Sequence, residues 1–151
     1  MEKNKMELES AFEGGAGWFY WIAGLSLINS IIVLAKGKWN FVIGLGITQI
    51  IDAIGQHIQG IGPAVSLVLN LIVMGVFVVI GVLCMKRFKW AFWIGMGLYA
   101  IDGLIFLLTM LLLAIGFHAF ALFGIYSGYV SLNKLEALEK SMKENTVESP
   151  V

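Results

Sequence analysis

The chain has a single cysteine, Cys84, and no net charge, its ten basic residues balancing ten acidic ones. One thiol excludes an intramolecular disulfide and any zinc site built on several cysteines. Beside Lys86 and Arg87 it reads as an inert packed side chain rather than an acylation site. A balanced charge offers nucleic acid no basic surface. Charge is also missing from the long apolar runs, which contain no lysine or arginine and only two carboxylates, Asp52 and Asp102. The usual catalytic templates are absent too: there is no Gly-x-Ser-x-Gly, no His-Glu-x-x-His and no phosphate-cradling loop with its lysine. Gly44-Leu45-Gly46 is followed by Ile47, not by the aspartate of an intramembrane aspartic protease. Catalysis is not expected, and nothing in the sequence calls for a cofactor or a metal.

What is present is apolar mass. Of 151 residues, 59% are hydrophobic and the mean hydropathy is +0.87. The pattern predicts an all-α integral membrane protein, a five-transmembrane-helix bundle with spans at about 17–35, 39–59, 63–84, 90–115 and 117–132. An alternative has four spans, with 117–132 lying in the interface. Residues 1–16 form a polar N-terminal tail, and Gly14, Gly15 and Gly17 read as a flexible join to the first span. Glu2, Glu7, Glu9 and Glu13 before a run of spanning length argue against a cleaved signal. Residues 133–151 read as a cytoplasmic tail, helical along the stripe Leu132, Leu135, Leu138 and Met142 and then disordered.

Five spans place Lys36, Lys38, Lys86, Arg87, Lys89, Lys134, Lys140 and Lys143 on one side, with Lys3 and Lys5 opposite. The positive-inside rule then puts the N-terminus outside and the C-terminus in the cytoplasm. Trp18, Tyr20 and Trp21 open the first span and Trp90, Phe92 and Trp93 the fourth, rings suited to the headgroup level. The match extends to Asn29 with Asp102, so these two spans, crossing in opposite directions, are candidates for an inverted repeat. Gly124-x-x-x-Gly128 and Ala91-x-x-x-Gly95 allow close helix approach, inside the bundle or in a homo-oligomer.

One stretch departs from this apolar background. Gln49, Asp52, Gln56 and Gln59 recur at spacings of three, four and three, which places them on one helical stripe. A carboxylate facing lipid costs roughly 2.5–3.5 kcal/mol, so Asp52 is expected to face protein or water. Depth counting at about 1.5 Å per residue brings Asn29, Gln49, Asp52, Asn70 and Asp102 into a shared polar layer. Gln56, His57, Gln59 and His118 continue it as a candidate outer access. The two histidines, with no third ligand, read as hydrogen-bonded caps rather than a metal site. With no buried cation in sight, the layer reads first as interhelical glue and the protein as a structural or accessory membrane component. The alternative is a small proton- or cation-coupled carrier.

The runs WFYWIAGLSLINS (Trp18 to Ser30), FVIGLGITQIIDAIG (Phe41 to Gly55), KWAFWIGMGLYAIDGLIFLL (Lys89 to Leu108) and GFHAFALF (Gly116 to Phe123) resemble those of small bacterial multi-span integral membrane proteins to which no activity is assigned. The resemblance covers most of the membrane portion and implies a bacterial inner-membrane location. It carries no functional residue across. The expected partners are the lipid bilayer and a second copy or another membrane protein.

Overall fold

A computed structural model describes residues 2–35 and 44–147. Among these residues the chain is all-helical: α1 (Glu2–Leu34), α2 (Gly46–His57), α3 (Gly62–Met85), α4 (Lys89–Thr109) and α5 (Leu112–Val147). Four of them, α1, α3, α4 and α5, are long and apolar enough to cross a membrane. The exception is α2, whose 12 residues extend about 18 Å, short of the roughly 30 Å hydrocarbon core. The expected span at 39–59 is therefore represented by a short helix, with residues 39–43 outside the described chain. Residues 117–132, read alternatively as interfacial, lie inside the long α5.

The turn between the last two helices falls at a place the sequence does not advertise. The expected fourth span ran to residue 115 and turned at Gly116, the nearest glycine. Instead α4 stops at Thr109, and Met110 takes the left-handed conformation at φ 52°. Met110 N–H donates to Leu107 O and Leu111 N–H to Phe106 O, the paired bonds that close a helix C-terminus around a left-handed residue. Arg87, at φ 65°, ends α3 the same way, with bonds to Cys84 O and, from Phe88, to Leu83 O. Glycine normally fills such positions because a Cβ there is disfavoured by roughly 1–2 kcal/mol. Since Met110 is 80% exposed and gives up little packing, Met110→Gly is expected to raise unfolding free energy by about 1 kcal/mol in equilibrium unfolding from mixed micelles. A loss of stability would show that the methionine side chain contributes more than its backbone strain costs.

The long helices pack antiparallel in sequence. Phe19 and Ser30 of α1 meet Phe77 and Asn70 of α3, and Tyr99 of α4 meets Phe77, so α1 and α4 run in the same direction. This rules out an inverted relation between them. α5 returns along α1, from Trp18 against Phe117 and Phe120 to Lys5 beside Glu139 at 3.7 Å. Arg87 joins the same carboxylate at 2.8 Å and Lys89 pairs with Glu136 at 2.7 Å. Half-exposed pairs of this kind stabilise little. They do mark the two termini and the α3–α4 turn as one end of the bundle, whereas five spans would separate the termini.

Glycines expected to loosen the N-terminal segment instead tighten it. α1 is continuous from Glu2, and Gly15 lies backbone to backbone against Gly128 of α5. A Cβ on either would collide with the other's main chain. Gly95 similarly makes room for the Phe19 ring, and Ala91 is fully buried. Both small-residue motifs therefore serve internal packing. The core between them is aromatic: Phe12, Phe19, Phe77, Phe92 and Tyr99 are all buried.

Candidate functional site

α2 is the most amphipathic of the helices. Ile47, Ile50, Ile54 and Ile58 are exposed on one side while Asp52 is buried on the other, as the seam predicts. Its N-terminus lies within the bundle. Leu45 N–H donates to Ser26 Oγ at 2.8 Å, and Ser26 stands about 12 Å along α1 from that helix's end. From there α2 climbs back toward the surface and meets α3 through the turn at 58–61. Gly55 is packed against Gly62 and Ser66, and Ser66 Oγ donates to Ile51 O at 3.0 Å.

A helix that starts inside the bundle brings unpaired N–H groups with it. Asp102 of α4 satisfies them: Gly46 N–H donates to Oδ2 at 2.7 Å and Ile47 N–H to Oδ1 at 2.9 Å. The carboxylate therefore caps a helix 55 residues away in the chain and sits at the positive end of its dipole. His118 completes the group. Its Nδ1 lies 2.9 Å from Ala114 O, a carbonyl that can only accept, so Nδ1 carries a hydrogen. Its Nε2 lies 3.1 Å from Asp102 Oδ2. The carboxylate accepts two backbone N–H bonds, and one proton between Nε2 and Oδ2 completes the hydrogen bonding of both side chains. Tyr99 stacks on the ring at 4.3 Å between centroids. Both side chains are almost wholly buried. His118 is thus no part of an outer access, and Asp102 has a buried hydrogen-bonding partner.

Asp52 has a different environment. Ser30 Oγ donates to Oδ2 at 3.0 Å, and Asn70 Nδ2 donates to Oδ1 at 2.7 Å and to Ser30 Oγ at 2.8 Å. Because Ser30 accepts from Asn70, its own hydrogen is directed to Asp52. Both carboxylate oxygens accept, and both donors are neutral. On its other side Asp52 borders a pocket of about 380 Å³ lined also by Asn29, Val33, Gln49, Ala53, Gln56 and His57. Gln56 and His57 are exposed at the rim, whereas Asp52 is 7% exposed.

Of the residues singled out from the sequence, Asn29, Gln49, Asp52, Gln56 and His57 meet at this pocket, and Asn70 supports Asp52 from behind. Gln59 falls beyond the end of α2 and is not among the lining residues. Asp102 belongs to the cap beneath. Ser26 and Ser30 were not anticipated, although their spacing of four around Asn29 puts all three on one face of α1. Among the described residues no group of three metal-ligating side chains occurs. No protein-family model, no curated protein and no solved structure matches this chain.

Proposed function

We propose that the protein is an accessory membrane component of solute-binding type, with the Asp52 pocket as its binding site. The observation that carries this reading is the contrast between the two aspartates. Asp102 spends its hydrogen-bonding capacity on α2 and His118, which is glue. Asp52 has neutral donors behind it and a pocket in front, and a buried carboxylate with no countercharge among the described residues is costly to keep. A bound solute or proton supplies what the protein omits.

The orientation follows from charge. Lys3, Lys5, Lys86, Arg87, Lys89, Lys134, Lys140 and Lys143, eight of the ten basic residues, belong to the termini or to the α3–α4 turn. The positive-inside rule puts that end, and both termini with it, in the cytoplasm and lets the pocket open outward. The resemblance noted above favours a bacterial inner membrane. Four crossings with α2 as a half-helix inserted from the outer face replace the five-span arrangement in this reading. Exposed residues such as Val68, Ile72 and Val79 on α3 suit contact with lipid tails.

Binding from one face is favoured over passage across the membrane because Phe19, Phe77 and Tyr99 pack tightly on the cytoplasmic side of Asn70 and Asp52. Vesicles reconstituted with wild type and with Asp52→Asn distinguish the two. Neither is expected to carry protons or monovalent cations faster than protein-free vesicles. A flux that depends on Asp52 would replace the accessory reading with that of a coupled carrier.

A further inference from the structure

We propose that the Asp52 pocket binds a small primary ammonium ion, an inference that rests on the solute-binding reading and adds the class of solute. The charge balance points this way. Among the described residues Asp52 is the one carboxylate lining the pocket, and no lysine or arginine lines it. A monovalent cation neutralises it, a divalent ion leaves an uncompensated positive charge, and a solute carrying its own carboxylate finds no lysine or arginine there to meet. The anion-seeking N-terminus of α2 is already taken by Asp102.

The lining chemistry narrows the cation further. An ammonium group presents three N–H donors, and the pocket offers acceptors to match: the remaining lone pairs of Asp52 and the carboxamides of Gln49 and Gln56. Among the described residues no phenylalanine, tyrosine or tryptophan lines it and His57 is its one ring, so the several-ring cation–π cage that recognises quaternary ammonium is missing there. A volume of about 380 Å³ is far larger than a bare alkali ion and falls at the lower end of the range for small-molecule sites. Val33 and Ala53 supply a short apolar wall for a carbon stem. The same ammonium chemistry occurs in a free amine and in the headgroup of an ethanolamine lipid.

The test uses the full-length protein in phosphatidylcholine nanodiscs near neutral pH, titrated at matched ionic strength with ethanolamine, tetramethylammonium, glycine and sodium. Ethanolamine is expected to bind saturably and to raise the melting temperature, while the other three act no differently from added salt. Asp52→Asn abolishes the ethanolamine response. Gln56→Leu, at an exposed rim position, weakens it several-fold without changing the melting temperature of the free protein. In nanodiscs containing phosphatidylethanolamine, a weaker apparent affinity for free ethanolamine identifies the lipid headgroup as an occupant, and an unchanged affinity identifies the free amine. An ethanolamine response no larger than that of sodium, or one that survives in Asp52→Asn, would overturn the proposal. The wild-type series decides the matter even if the Asp52 variant does not fold. A cation flux in the vesicle assay would remove the accessory reading while leaving the ligand class in place.

Discussion

Asp102→Ala is expected to lower the unfolding free energy by about 3–5 kcal/mol, since each buried polar group left without its partner costs about 1–3 kcal/mol. Two losses make it up. Gly46 and Ile47 lose the acceptor for their N–H groups, which no side chain of α2 itself replaces. His118, almost wholly buried under Tyr99, loses the partner of its Nε2. Interhelical hydrogen bonds in membranes average well below these values because the unfolded state also finds partners. The His118 contact and the helix cap together should exceed that average. Equilibrium unfolding from mixed micelles measures the difference, and a double-mutant cycle with His118→Ala separates its parts. The double variant should cost clearly less than the sum of the single ones, since each single change already breaks the pair. Additive costs, or a loss below about 1 kcal/mol for Asp102→Ala, would mean that α2 is held mainly by its contacts with α3.

The second large effect is expected at the crossing of α1 and α5. Gly128→Leu places a side chain where Gly15 has its main chain, and neither helix can yield without breaking contacts along the whole pair. A loss of about 3 kcal/mol or more is expected, against a small change for Gly116→Leu, where a Cβ meets nothing within 4 Å. The comparison is internal to one helix and so cancels the propensity term. Equal effects at the two positions would show that α1 and α5 do not approach as closely as described here.

Much of the candidate site was legible in the sequence, and the reason is periodicity. Gln49, Asp52 and Gln56 share a stripe because a helix repeats every 3.6 residues, and the stripe does line the pocket. The period says nothing about where the helix stops, which is why Gln59 was carried along. Asn70 was placed at the right depth, but its bond to Ser30 and Asp52 depends on which helices are neighbours. Asp102 was conspicuous as a carboxylate in an apolar run. Its role was hidden because two of its partners are backbone N–H groups, which every residue but proline has.

The larger errors trace to two residues and one ambiguity. Met110 occupies a position that glycine usually signals, so the apolar pattern carries the fourth span past it and places His118 at the outer rim. With the break at Met110, His118 lies well inside α5 and meets Asp102. Gly15 looked like a hinge in a polar tail because close packing against Gly128 leaves no trace in a single segment. The topology was ambiguous for a different reason. Counting Lys36 and Lys38 with the cytoplasmic set and Lys3 and Lys5 against it gives the same eight-to-two bias as the reverse assignment. Charge counting does not choose between them. Packing of Lys5 beside Glu139 supports the four-crossing reading proposed above.

Side-specific labelling tests this arrangement most directly. Native Cys84 is buried, so single cysteines at Ser10, Gln56 and Ser141, all exposed positions, can be probed in intact cells with a membrane-impermeant thiol reagent. Gln56→Cys is expected to react from outside, whereas Ser10→Cys and Ser141→Cys react only after the membrane is opened. Labelling of Ser10→Cys from the same side as Gln56→Cys, with Ser141→Cys protected, would separate the termini across the bilayer and contradict the half-helix arrangement of α2.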